Sequence, residues 1–145
     1  MVCAVASLLG AHLLDENAVP VLPRRLNRNV RAYITLYGLD LPFVDPRDLP
    51  KKKIETVTLV DTQSLITLKG MSKKTKTYVL DHHPARDDLP IGWHVTTEDT
   101  GATATILVEA IQERDLRLSI SQATLLLLGI YEDTEPQIPL LDRFH

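Results

Sequence analysis

The chain has 145 residues, of which 44% are hydrophobic and 24% charged, and this length and composition suit one globular domain with a buried core. The formal net charge of −3 excludes a global positive field that would attract polyanions. Two segments are nevertheless locally basic, residues 51–53 and the set Lys69, Lys73, Lys74 and Lys76. Charge alone therefore does not imply nucleic-acid binding.

Cysteine content and hydropathy limit the cellular setting. Cys3 is the only cysteine, which excludes an internal disulfide and a multi-cysteine zinc site and fits a reducing compartment. The opening MVCAVASLLGAHLL is apolar, but it lacks a basic start and a small-residue cleavage site. The apolar run 123–130 is far shorter than the roughly 20 residues that cross a bilayer. We expect a soluble cytoplasmic protein without a membrane segment.

The first third of the chain predicts two helices. Helix formers with spaced apolar residues predict a helix over 2–14, ended by the polar residues 15–17. The stretch AVPVLP, residues 18–23, predicts a short strand interrupted by prolines. A second helix is predicted from Asn27, a candidate N-cap, to Gly38, a candidate stop. Residues 42–53, with three prolines and a lysine run, predict a loop.

The remainder alternates strands and helices. The β-branched runs 54–61 and 76–81 predict two strands that each end in an aspartate, and residues 92–97 predict a third. Residues 100–115 and 119–133 predict helices, the second capped by Ser119 or Ser121. This order indicates an α/β fold with a mostly parallel sheet and helices on both faces. Residues 135–145 carry two prolines and no period, and they predict an irregular tail.

Candidate functional residues collect where the strands end. Ligands of open parallel sheets bind at the carboxyl ends of the strands, where Asp61 and Asp81 lie. Either aspartate alone is typical of a turn or a helix cap. The adjacent His82 and His83 favour a metal site, because carboxylates with imidazoles suit an ion such as manganese. Asp133, after an apolar helix, is a further candidate, with an exposed helix-end acid as the alternative.

A weaker signal is the stretch TGATAT at residues 100–105. It places Gly101, Thr103 and neighbouring backbone N–H groups at a helix start, which is a favourable position for a phosphate. Many helices begin in this way without binding any ligand.

Four motifs together resemble a known family. VDTQ at 60–63, LDHHP at 80–84, TGATAT at 100–105 and GIYEDT at 129–134 resemble, in order and spacing, the motifs of the DHH phosphoesterases. The resemblance implies that residues 1–134 form an incomplete first domain of this two-domain, two-metal family. The stretches at 21–38 and 67–76 resemble the subgroup often fused to CBS repeats and a tRNA nucleotidyltransferase. Association with a nucleotidyltransferase or a homodimer would follow from that resemblance.

The resemblance also implies roles for individual residues. Asp61 would bridge two manganese ions, and His82 and Asp133 would complete one metal site. His83 would contact the substrate phosphate as the catalytic histidine, with Gly101 and Thr103 also at the substrate, while Asp81 would orient a histidine. The chemistry would be metal-dependent hydrolysis of phosphodiester or phosphoanhydride bonds in nucleotides or oligonucleotides.

Two departures from the family pattern weaken the expected activity. Met1 and Cys3 stand where the family has an aspartate pair, and the upstream histidine ligand has no counterpart. The family's sequence after the DT pair and its closing second domain also have no counterpart. We therefore expect weak or absent hydrolysis, with one ion held by Asp61, His82 and Asp133. The alternatives are a degenerate nucleotide-binding or metal-binding module that acts on a partner, and a fragment without independent function.

Overall fold

The described part of the chain forms a small parallel sheet and four α-helices. A computed structural model describes residues 1–64 and 66–134. The predicted tail 135–145 lies outside the described residues. The elements are α1 Val2–Leu14, α2 Arg28–Tyr37, β1 Thr56–Val60, β2 Lys76–Asp81, β3 His94–Thr97, α3 Thr103–Glu113 and α4 Ile120–Thr134, with 3-10 turns at Gly38–Asp40 and Pro46–Asp48.

The sheet explains how distant parts of the sequence meet at one edge. Its order is β1-β2-β3 and both pairings are parallel, so all carboxyl ends lie on the same side. Val60 pairs with Leu80, which brings the residues that follow β1 beside the end of β2. The predicted α/β class and the parallel sheet are confirmed.

Helix α1 is the centre of the helical layer. It is apolar on most of its surface, and Cys3, Val5, Ala6 and Leu9 are fully buried, because α1 packs against both α3 and α4. Gly129 permits the crossing of α1 and α4, since a Cβ atom at this position would lie 2.5 Å from the Cβ of Ala6. This close crossing fixes the end of α4 beside the start of α1.

Two helix starts follow the predicted chemistry. The side chain of Asn27 accepts a hydrogen bond from the Val30 backbone N–H at 2.9 Å, which confirms the cap of α2. Of the two candidate caps for α4, Ser119 is the correct one. Its hydroxyl accepts from the Gln122 N–H at 3.2 Å while the Gln122 side chain accepts from the Ser119 N–H at 2.9 Å, which is a capping box.

The strand predicted at residues 18–23 is wrong. The segment makes only one isolated parallel bridge, between Val21 and Val44. Pro20 and Pro23 flank this bridge, and neither has an N–H to extend a ladder. The segment is therefore a crossing point of two loops.

The predicted covering of both sheet faces is not seen along β2. Thr77, Val79 and Asp81 are buried, whereas Lys76 and Tyr78 on the other face are exposed. We call this second side the open face. Its exposed residues, matched by register, are Thr56, Thr58, Lys76, Tyr78, His94 and Thr96.

Hydropathy along the helices gives no sign of a membrane span. Within residues 1–64 and 66–134, no helix combines the length and apolarity needed to cross a bilayer.

Candidate metal and phosphate site

The candidate site lies at the carboxyl edge of the sheet. Asp61 follows β1 directly, and its backbone N–H donates to the Leu80 carbonyl at 3.0 Å. Its φ of 60° lies in the left-handed region, which aspartate and asparagine tolerate better than most residues. The hydrogen bonding between β1 and β2 therefore continues one residue past β1, and the chain then turns sharply at Asp61, which carries the carboxylate.

The three predicted metal ligands converge at this edge. His82 Nδ1 lies 3.2 Å from Asp61 Oδ1, and His82 Nε2 lies 3.6 Å from Asp133 Oδ2. The imidazole is thus placed between two carboxylates that are 72 residues apart in sequence. The geometry brings the predicted ligands together, and their role as ligands stays a prediction.

Thr103, predicted at the substrate, is the hub of the cluster. It is fully buried, its hydroxyl donates to Asp61 Oδ1 at 2.9 Å, and the same oxygen lies 2.8 Å from His82 Nδ1. The hydroxyl also lies 3.3 Å from Asp81 Oδ1, but a single hydroxyl proton serves one acceptor at a time. The Thr103 side chain is therefore engaged inside the cluster, so a phosphate contact there would have to use the backbone.

Gly101, the other predicted phosphate residue, lies where α3 begins beside the end of α4. A Cβ atom at Gly101 would collide with the side chain of Thr134. Glycine at this position avoids the clash and lets the two chain segments approach closely. This packing role is independent of any phosphate contact, which stays a prediction.

Asp81 is buried and hydrogen-bonded to His83. It is 1% exposed, and its Oδ1 accepts from His83 Nδ1 and from the His82 backbone N–H, both at 2.9 Å. Burial acts to raise the pKa of Asp81, but the hydrogen bonds from Gln63 and His83 outweigh burial and lower it. Asp81 is therefore a carboxylate at neutral pH. The positioning role that the resemblance implies for it stays a prediction.

The same contact fixes the tautomer of His83. Because a carboxylate can only accept, Nδ1 carries the proton and Nε2 is left for other partners. The hydrogen bond to Asp81 raises the pKa of His83, and 59% of its side chain is exposed. The solvent-facing Nε2 of His83 therefore donates only when the ring is protonated, whereas His82, 12% exposed, faces the carboxylates.

Gln63 was not predicted as a site residue, although it belongs to the VDTQ motif. Its Nε2 donates to Asp81 Oδ2 at 2.9 Å and to the Pro84 carbonyl at 3.1 Å, and its Oε1 accepts from the Arg86 N–H at 2.9 Å. One buried amide therefore ties the loop after β1 to the loop after β2. Its position two residues after Asp61 was the available signal in the sequence.

Cys3 lies against the carboxylates and is a neutral thiol. Its Sγ and the oxygens of Asp61 and Asp133 lie within 4.8 Å of one another. Burial, reinforced by these carboxylates, raises the pKa of Cys3 to about 12. In the metal-free protein the thiolate that would bind a soft metal is therefore not formed at neutral pH.

The charge balance of the cluster favours a bound cation. Burial, together with the charge of Asp133, raises the pKa of Asp61. In the described part of the chain, no lysine or arginine forms an ion pair with either carboxylate. A divalent cation would compensate this charge, and the oxygen and imidazole donors fit such an ion.

Asp61 belongs to two potential metal-binding groups. One contains Asp61, Asp81, His82 and His83, and the other contains Cys3, Asp61 and Asp133, with ligand atoms in each group within 4.8 Å of one another. A shared carboxylate is the arrangement that can bridge two ions. The second group offers only two anionic ligands, because its third member, Cys3, is a protonated thiol.

Sequence comparison finds that the chain is similar to part of two A-adding tRNA nucleotidyltransferases. It is 37% identical over 131 residues to the A-adding tRNA nucleotidyltransferase of Aquifex aeolicus and 28% identical over 138 residues to that of Geobacter sulfurreducens. Each match covers 90% of this chain but only 15% and 16% of the respective relative. No protein-family model matches the sequence. The chain is therefore similar to about a sixth of these proteins, and the DHH phosphoesterase resemblance stays a prediction.

Proposed function

We propose that the chain is a module that binds a divalent metal ion and a nucleotide, within or beside a protein related to tRNA nucleotidyltransferases. The observation that carries the proposal is the position of His82 between Asp61 and Asp133, in a cluster of carboxylates without a basic counterion among the described ion pairs. The relatives' names support a nucleotide or RNA as the partner.

The ligand assignment follows from the contacts. Asp61, His82 and Asp133 would hold the ion, and manganese is the ion that the DHH resemblance favours. The bound ion would act as a Lewis acid on phosphoryl oxygens. In its protonated form, which the contact with Asp81 favours, His83 would donate from Nε2 to a phosphate oxygen, since its Nδ1 is held by Asp81 and its side chain faces solvent.

A second candidate function is phosphodiester hydrolysis. It is favoured by the sharing of Asp61 between two ligand groups, because a bridging carboxylate is a feature of two-metal hydrolases. The neutral thiol of Cys3 argues for slow turnover, because it leaves one group with two carboxylates and no third anionic ligand. Binding without efficient hydrolysis is therefore the first proposal.

Titration calorimetry with MnCl₂ tests the metal site. His82→Ala should weaken manganese binding at least about 100-fold, the upper end of the loss seen when a residue that only orients a ligand is removed. His83→Ala should keep manganese binding and weaken binding of AMP in the presence of manganese about ten-fold, through loss of a charge-assisted hydrogen bond. His12→Ala, in the last turn of α1, is the matched control. Equal loss of manganese in the His82 and His83 variants would refute the division of roles.

Manganese-dependent cleavage of bis-p-nitrophenyl phosphate separates the two candidates. Turnover by the wild-type chain that disappears in Asp61→Asn would favour the hydrolase. Manganese and AMP binding without turnover would favour the binding module. Absence of manganese binding by the wild-type chain would refute both.

A further inference from the structure

The two basic segments of the sequence meet in the fold. The Ile54 N–H donates to the Gly70 carbonyl at 2.9 Å, and the Lys76 N–H donates to the Glu55 carbonyl at 2.9 Å. Gly70, with φ of 97°, packs so closely on the Lys52 carbonyl that a Cβ atom would collide with it. These contacts bring residues 51–53 beside residues 69–76 at the amino edge of the sheet.

We call the result the lysine cluster: Lys51, Lys52, Lys53, Lys69, Lys73, Lys74 and Lys76, all exposed. Residues 51–76 contain these seven lysines and two carboxylates, a net charge of +5 in a chain whose formal charge is −3. In the part of the chain that the structure describes, none of the seven side chains makes an ion pair or a hydrogen bond. Seven unpaired like charges in one place repel each other and favour a polyanionic partner.

The open face continues from this cluster with an exposed aromatic pair. Tyr78 lies two residues after Lys76 on the same face of β2, and its ring stacks on His94 of β3 with centroids 4.8 Å apart and planes at 21°. The neighbouring exposed residues Thr56, Thr58 and Thr96 are polar. Towards the amino edge this face offers hydroxyl groups and an aromatic ring surface. Its apolar residues Val60 and Leu80 lie towards the carboxyl edge, where they are buried and half-buried.

We propose that the lysine cluster and the open face together bind single-stranded RNA. A positive groove that follows the phosphates, beside aromatic rings on which bases stack, is how proteins hold single strands without reading their sequence. An anionic membrane would use the lysines but would give no role to the Tyr78–His94 stack. The RNA assignment is therefore favoured over a lipid surface.

This surface is separate from the candidate metal site. β2 has six residues, so Lys76 and Asp81 lie about 17 Å apart along the strand. RNA would bind here without metal, and the inference does not depend on the proposed function.

Fluorescence anisotropy with a labelled oligoadenylate of about 12 nucleotides, in EDTA and about 50 mM salt, tests the proposal. Lys73→Ala/Lys74→Ala should weaken binding about ten-fold and reduce the slope of log K against log salt concentration by about 1.4, or about 0.7 for each lost phosphate contact. The matched control is Arg28→Ala/Arg117→Ala, which removes two exposed charges from the helical side and should leave binding within about two-fold.

A second set of variants tests stacking. Tyr78→Ala should weaken binding about ten-fold at every salt concentration, and Tyr78→Phe should restore it, because stacking needs the ring and not the hydroxyl. Circular dichroism and thermal unfolding of each variant would establish that the fold is intact.

Three results would overturn the proposal. The first is no anisotropy change with the wild-type chain at low salt, and the second is equal weakening by the lysine and arginine pairs. The third is binding to phosphatidylserine vesicles without binding to oligoadenylate, which would assign the lysine cluster to a membrane surface.

Discussion

The two ends of one three-stranded sheet have opposite chemistry. At the carboxyl edge, Asp61, Asp81 and His82 are largely buried and share hydrogen bonds through Thr103. At the amino edge, the lysine cluster is exposed, and its side chains make no ion pair or hydrogen bond among residues 1–64 and 66–134. The carboxyl edge is an organised site for a small ion, whereas the amino edge is a diffuse field that suits a flexible polyanion.

The difference predicts where substitutions affect stability. Polar groups at the carboxyl edge are satisfied by one another, so loss of one leaves others buried without a partner. Side chains at the amino edge are solvated in the folded and unfolded states, so loss of one changes little.

The largest effect is expected at the hub. Thr103→Val removes a fully buried hydroxyl that serves Asp61 and His82, and should lower the free energy of unfolding by about 2 to 4 kcal/mol. Urea unfolding in EDTA measures the change. Thr58→Val, the same substitution on the open face, should change stability by less than about 0.5 kcal/mol. Similar losses in the two variants would show that the cluster is not cooperative.

The next effect concerns the amide that joins the two loops. Gln63→Leu leaves Asp81 Oδ2 and the Arg86 N–H without their partner, and should cost about 1 to 3 kcal/mol. Gln112→Leu, exposed on α3, is the control and should cost less than about 0.5 kcal/mol. In the Gln63→Leu background, His82→Ala and His83→Ala should also differ less in manganese affinity, because Asp81 would lose the amide that holds its Oδ2. A Gln63 variant as stable as wild type would mean that water replaces the amide.

A smaller effect of opposite sign is expected for Asp61→Asn. The pKa of Asp61 is raised in the fold, which means that the folded protein favours the protonated carboxyl. Relative to the charged form, this stabilises the fold fully at low pH, and the stabilisation is lost as pH rises through the folded pKa. In EDTA at neutral pH, the asparagine variant should therefore unfold a few degrees above wild type, and asparagine also tolerates the φ of 60°. The measurement is thermal unfolding against pH. A lower melting temperature for the variant at neutral pH would contradict the raised pKa.

Addition of manganese should reverse the order of the two melting temperatures, so that the wild type unfolds above Asp61→Asn. The wild-type chain should gain stability with ion concentration by mass action, and Asp61→Asn should not. This crossing of melting temperatures would identify the carboxyl edge as a site that holds unfavourable charge for a ligand.

The sequence predicted the strands and the convergence at their ends because both depend on local patterns. Two β-branched runs end in an aspartate, and parallel pairing then places Asp61 and Asp81 side by side. The role of Thr103 as a buried hub was not predictable, since it depends on the packing of α3 against the sheet edge. The sequence analysis predicted helices on both faces of the sheet and so did not predict the open face. A strand covered on one face and a strand covered on both faces can contain similar numbers of apolar residues.

The lysine cluster also depends on tertiary structure that local sequence patterns do not show. Net charge excluded a global positive field, and that conclusion holds for the whole chain. It did not show that residues 51–53 and 69–76 are joined by backbone hydrogen bonds into one cluster. Proximity of segments about 20 residues apart is a property of the fold, and it changes two modest basic runs into one strong local field.

The smallest expected effect tests whether the lysine cluster stabilises the protein. Lys73 and Lys74 lie in an exposed turn whose hydrogen bonds are made by the backbone and by Ser72 and Thr75, so alanine at both positions removes no contact that holds the turn. Their removal lowers repulsion among the remaining lysines. At low salt the double variant should therefore be more stable than wild type by a few tenths of a kcal/mol, as is usual for surface charges.

The gain should disappear in about 1 M salt, where the screening length falls to about 3 Å. Urea unfolding at the two salt concentrations measures the difference, with Arg28→Ala/Arg117→Ala as the control, because these exposed arginines lie outside the cluster. A loss of stability in the lysine variant at low salt would mean that the cluster supports the fold. A gain, combined with weaker binding of oligoadenylate, would mean that these lysines repel one another in the free protein and that a polyanionic partner relieves this repulsion.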